Sequence, residues 1–71
     1  MRRMAVLGEP AVIRGWGLAG LLVVAASDDE QARAAWPGLP PDVGLVILTA
    51  AAAKALRAEI DAGDRLVAVL P

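Results

Sequence analysis

The sequence predicts a small α/β domain: a four-stranded parallel sheet flanked by helices on both faces. Three observations predict it. There are four short apolar runs, helical spacing between them, and glycine, proline or capping residues at the junctions. The resulting order is βαβαβαβ with right-handed crossovers. The 71 residues make one domain, residues 1–71, with no internal repeat or low-complexity tract. A chain this short buries only about 60% of its unfolded surface, so it is marginally stable unless something staples or covers it.

The first run, Met4-Ala5-Val6-Leu7, stops at Gly8 and fits a strand buried on both sides. Pro10 suits the first turn of a helix, where its missing N–H costs nothing. Val12, Trp16 and Ala19 then recur at helical spacing, with Ile13 beside them. Gly15, Gly17 and Gly20 make this helix weak, each interior glycine costing ~1 kcal/mol relative to alanine. Leu21 to Ala25 reads as a second buried strand.

Ser27 followed by Glu30 predicts a capped helix start, with Asp28 and Asp29 suited to the positive end of the helix dipole. This second helix is expected to run to Trp36 and to bury Ala32, Ala35 and Trp36. Pro37-Gly38-Leu39-Pro40-Pro41 ends it. Val43 to Leu48 holds the most hydrophobic strand, placed at the sheet centre. Thr49 can cap a third helix, Ala50 to Ala62, with Ala53, Leu56 and Ile60 inward and Lys54, Arg57 and Asp61 outward. Gly63 stands where a left-handed residue commonly ends a helix. Leu66 to Leu70 is the fourth strand, closed by Pro71.

Composition removes several function classes. Cysteine and histidine are both absent, which excludes disulfides, thiol nucleophiles, imidazole bases and most metal-ligand sets. Seven basic and eight acidic residues give a net charge of -1, with no attraction for nucleic acid or an anionic membrane. The uncharged stretch from Gly15 to Ser27 is too short for a bilayer, which takes about 20 helical residues. Gly8-Glu9-Pro10 interrupts the initial apolar run before it reaches the ~7 residues of a signal segment, so the chain reads as cytoplasmic. With 58% apolar residues and few charges, a core buried on both faces of the sheet is expected.

Gly15-Trp16-Gly17-Leu18-Ala19-Gly20 matches G-x-G-x-x-G, yet it ends a predicted helix rather than opening one. Without a helix N-terminus to receive a pyrophosphate, the glycines read as a tight turn and close helix-to-sheet packing. The acids at 28, 29 and 30 are accounted for by capping, so no metal site is assigned. A phospho-acceptor domain needs an aspartate at the end of the third strand, where this chain has Leu48-Thr49. Ser27 and Thr49 are the only hydroxyl side chains, and neither has a base to activate it. No catalytic residue or cofactor is assigned, and the chain reads as not an enzyme. Trp16 and Trp36 are expected to fill core, with Trp36 partly exposed beside the proline loop. Trp36, Lys54, Arg57 and Asp61 are the candidate partner-binding residues.

Four parts of the chain also carry a family resemblance: Ala5-Val6-Leu7-Gly8 with Glu9, Gly15 to Gly20, Gly44-Leu45-Val46-Ile47-Leu48-Thr49, and Leu66-Val67-Ala68-Val69-Leu70-Pro71. In order and spacing they resemble the F subunit of the rotary V/A-type ATPases, across essentially the whole chain. The match departs at Gly17, where the family usually has arginine, and at Ala50, where it commonly has an acid. The resemblance implies a non-catalytic central-stalk protein that binds the shaft subunit and helps couple ATP turnover to proton or sodium transport, peripheral to a membrane complex. Family members continue into a C-terminal segment ending in a helix, whereas the sequence here ends at Pro71. An open sheet edge and self-association in isolation are therefore expected. Two other readings compete: a small Rossmann-like or flavodoxin-like ligand-binding domain, and a stand-alone dimerisation domain. Gly8-Glu9-Pro10 counts against the former, since an acid and an N–H-less proline stand where a phosphate would sit.

Overall fold

The computed structural model describes residues 3–16 and 20–71. Met1, Arg2, Gly17, Leu18 and Ala19 lie outside that description, and with them the middle glycine of the G-x-G-x-x-G match and the Ala19 end of the first helical stripe. Four strands, β1 (Arg3–Gly8), β2 (Leu22–Ala25), β3 (Val43–Leu48) and β4 (Leu66–Val69), form one sheet in the order β2-β1-β3-β4. All three pairings are parallel, as predicted. This is the strand order of a small doubly wound, flavodoxin-like sheet.

β1 and β3 lie in the middle because both are apolar on two faces. Ala5, Val6 and Leu7 are wholly buried, as are Val46 and Leu48. Leu7, Val46 and Leu48 face the side covered by α2 (Asp29–Ala35) and α3 (Ala50–Ala55), which pack on each other and contribute Ala32, Ala52 and Leu56 to the main core. Leu39, from the proline loop, completes it. Val6 points to the opposite side, where the four-residue helix α1 (Pro10–Ile13) packs on β1 and β2 and buries Ile13.

The expectation of burial on both faces therefore needs correction. α1 is too short to cover its side of the sheet, leaving Met4 49% and Leu66 65% exposed and Leu45 and Ile47 half-buried. β2, expected as a buried strand, and β4, expected as an apolar one, are the two edges, and both alternate or stay exposed. The first helical stripe also shifts. Ile13 is the buried residue and Val12 is 51% exposed, because only one turn of helix forms and the chain turns away at Arg14 and Gly15.

Capping is shifted by one residue from the expected Ser27–Glu30 pair. Asp28 is the N-cap and its Oδ1 accepts from the Gln31 N–H at 2.8 Å, while Gln31 Oε1 accepts from the Ser27 N–H at 2.7 Å. Asp28 thus caps the helix one residue later than expected, and Gln31 reaches back past it to the N–H of Ser27. α2 ends at Ala35, and Trp36–Gly38 continue as a single 3-10 turn. Trp16 is half-buried, as are Ala35 and Trp36, which pack against the edge of the main core.

The third helix is divided. α3 gives way at Leu56 (φ −101°, ψ 13°) to a further helix, α4 (Arg57–Ala62). The break has no Gly or Pro signature. Leu56, fully buried, sits at it, donating its N–H to Ala52 O and accepting from Ile60 N–H. Ala52, not Ala53, is the alanine under the helix. Gly63 is extended (φ −103°, ψ 178°) instead of left-handed; Gly20 adopts positive φ (81°).

An ion pair closes the amino end of the central strands. Arg3 Nε donates to Asp42 Oδ2 at 2.7 Å and its Nη2 to Oδ1 at 3.2 Å, beside the Arg3 N–H to Asp42 O bond. The hydrogen bond from Arg3, reinforced by its charge, holds the Asp42 carboxyl below the usual carboxylate range. Its contribution is present above about pH 4 and is lost as pH falls through the depressed value. Both side chains are exposed, so this pair aligns the strands more than it stabilises them.

The close backbone approach expected at Gly15 is found at Gly8. A Cβ on Gly15 would meet open space, whereas one on Gly8 would overlap the Thr49 methyl and stand 2.5 Å from its Oγ1. Gly8→Ala is therefore expected to lose about 1–3 kcal/mol in urea unfolding, from overpacking. Gly63→Ala, in extended backbone, is expected to stay within about 0.5 kcal/mol of the parent.

Candidate functional site

In a doubly wound sheet, ligands bind outside the carboxyl ends of the strands, where the strand order reverses. Here that point lies between the ends of β1 and β3, and it is closed. Thr49 follows β3 directly, is buried, and sits against Gly8 at the end of β1. Its N–H donates to Leu7 O at 3.2 Å, and its hydroxyl donates to Glu9 Oε1 at 2.9 Å. The same Oγ1 accepts from the Ala52 N–H at 3.3 Å, capping α3 as predicted. One side chain thus joins the end of the first strand, the loop after it and the start of a helix.

The space that remains at this end is a crevice of about 80 Å3, lined by Glu9, Ala26, Ser27, Asp28 and Asp29, with Ala32 of α2 and Ala51 and Ala52 of α3. Ligand pockets usually span about 300–1,000 Å3, so this crevice is too small for a nucleotide or flavin. Its charge has the wrong sign for phosphate, since three carboxylates line it. The helix ends nearby offer little to an anion: Pro10 lacks an N–H, and the start of α2 is occupied by its own Asp28. No group of three or more metal-ligating side chains converges among the described residues.

The larger depression lies elsewhere, along the outer side of α3 and α4 beside β4. It measures about 460 Å3 and is open to solvent. Ile60, Val67 and Val69 supply its apolar surface, Ala53 its wall, and Lys54, Arg57 and Asp61 its rim. Val69 is 53% exposed, an unusual degree for a valine within a strand. Three of the four candidate partner-binding residues are therefore brought together. They lie one or two turns apart on consecutive helices, which places them on one face.

Trp36 is not part of this groove. It stands at the end of α2, half-buried, with the Arg65 guanidinium 5.9 Å from its ring centroid. Arg65 also donates from Nη1 to Pro40 O at 3.4 Å, so it ties the α4–β4 loop to the proline loop. Sequence reasoning overlooked Glu9 as the partner of Thr49, because the two are 40 positions apart. It also overlooked Val67 and Val69 as groove residues. The sequence carried no signal for them, because the edge position of β4 follows from the strand order.

The chain is thus a parallel α/β domain with a small acidic crevice at the carboxyl ends of its strands and a larger open groove along the β4 edge. The family pattern described as ATP synthase (F/14-kDa) subunit matches residues 4–71, and the chain belongs to that family. Its fold is similar to the crystal structure of the Archaeoglobus fulgidus V-type ATP synthase F subunit. The TM-score is 0.77 and the identity 29%, over 99% of this chain and 98% of that one. No curated protein sequence matches the chain.

Thr49→Val keeps the shape of the junction but removes the cap and the bond to Glu9. It is expected to lose about 1–2 kcal/mol, whereas Thr49→Ser, which keeps the hydroxyl, is expected to lose less. Chemical unfolding of the two variants side by side checks this; equal losses would assign the role to the methyl group instead.

Proposed function

We propose that this chain is a non-catalytic central-stalk subunit of a rotary V/A-type ATPase or ATP synthase. In this reading it binds the coiled-coil shaft subunit and helps couple ATP turnover to proton or sodium transport. It works on the cytoplasmic side, peripheral to the membrane complex. No helix among the described residues is long and apolar enough to cross a membrane, which agrees with a peripheral position. Family membership supports the stalk assignment.

The observation that carries the mechanical role is the contrast between the two depressions. The crevice where this fold binds cofactors is about 80 Å3 and acidic, while the groove at the sheet edge is about 460 Å3, apolar-floored and rimmed by charge. A shaft helix could lay an apolar stripe over Ile60, Val67 and Val69 and match its flanking charges to Lys54, Arg57 and Asp61. The alternative of a ligand-binding domain draws no support from this geometry.

Titration calorimetry with the purified shaft subunit tests the reading. The chain is expected to bind it, and Lys54→Glu with Arg57→Glu is expected to weaken binding about tenfold, with most of its salt dependence lost. Micromolar binding of a nucleotide or flavin, without shaft binding, would overturn it.

A further inference from the structure

β4 has a neighbour on one side only in the described sheet, and apart from its four-residue length its other edge carries no protection of the usual kinds. Leu66-Val67-Ala68-Val69 contains no charge, proline or bulge, and Leu66 and Val69 are 65% and 53% exposed. The inner hydrogen bonds fix which backbone groups point outward. Leu70 donates its N–H inward to Leu48 O at 2.8 Å, so by alternation Leu66 and Ala68 also face β3. Val67 and Val69 therefore turn their N–H and C=O groups to the open edge, and their side chains line the groove.

The geometry points to a second copy of this chain as the occupant of that edge, in a two-fold dimer whose axis passes through Ala68. Antiparallel pairing of β4 with itself in this register sets Val67 opposite Val69 of the partner, and Val69 opposite Val67. All four outward valines of the two copies then exchange backbone hydrogen bonds. It is the register that pairs both valines with valines. The small Ala68 meets its own copy at the axis, and Leu66 lies opposite Leu70 on the other face of the sheet. An apolar side chain covers an apolar side chain at every position.

The ends of the charged rim fit the same arrangement. Lys54 and Asp61 lie seven residues apart, roughly 10 Å along the helical segments, on the rim of the groove beside Val67 and Val69. The two-fold axis sets the helical segments of the two copies antiparallel, so Lys54 of each faces Asp61 of the other. Arg57, between them, comes near the axis and close to its own copy, so the two Lys54–Asp61 pairs offset that like-charge contact. Since the groove is also the surface proposed for the shaft subunit, dimer formation and shaft binding exclude each other, and the dimer protects the edge until assembly.

The chain contains no cysteine, so a single introduced thiol reports the axis directly. Ala68→Cys sits at a close-pair position and is expected to oxidise within the assembled protein to a disulfide-linked dimer, while Ala11→Cys, exposed on α1, does not. Sedimentation of the cysteine-free chain over a concentration series is expected to show twice the monomer mass at high concentration. Lys54→Asp and Asp61→Lys are each expected to return it to monomer, and the double variant to restore the dimer. A monomer at every concentration, or equal cross-linking at both thiols, overturns the proposal. Shaft binding by a strictly monomeric chain would sink the dimer alone, and a dimer without shaft binding would sink the stalk assignment alone.

Discussion

The contact of Thr49 with Gly8 and Glu9 is the constraint on which the rest of the molecule depends. Two inner strands of a parallel sheet can end side by side only if the loops leaving them do not collide. Here the collision is avoided by a residue without a Cβ, and the resulting space is filled by a hydroxyl side chain that bonds both the Glu9 carboxylate and the helix start. Because the closure is polar but internally satisfied, it costs little to bury. The same contact occupies the space between the ends of β1 and β3, where doubly wound sheets commonly seat a ligand.

In the proposed function the working surface is the side of the sheet. The main core lies under α2 and α3, where Leu7, Val46, Leu48 and Leu56 are wholly buried, and it is sufficient to hold β3 rigid. β4 hangs from that rigid strand and is covered on one side only. A short domain that leaves such an edge open retains apolar surface that a partner can bury, which suits a subunit stabilised by its assembly.

The strands were legible in the sequence because buried parallel strands are continuous apolar runs, and Val43–Leu48 falls on its predicted bounds. Helix ends were less so. Ser27 and Asp28 are both competent caps, and only the position of Gln31 decides between them. Gly63 signalled a left-handed stop, but the chain leaves α4 extended and reaches β4 directly. Val43–Leu48, the most hydrophobic run, was placed at the sheet centre and lies there; the other three runs are too alike to separate centre from edge, since strand order is also a property of the crossovers. The charged strip Lys54, Arg57 and Asp61 was visible as a helical face; its apolar floor was not, because Val67 and Val69 come from a different element.

Whether the working surface lies at the β4 edge or at the carboxyl ends of the strands is the point on which the functional reading turns. Amide chemical shifts of the labelled chain, followed while the shaft subunit is added, decide it most directly. Perturbation centred on Lys54 to Asp61 and on Val67 and Val69, with Glu9 and Ser27 to Asp29 unmoved, is the expected result. Perturbation centred on Glu9 and Asp28, with β4 unchanged, would contradict it.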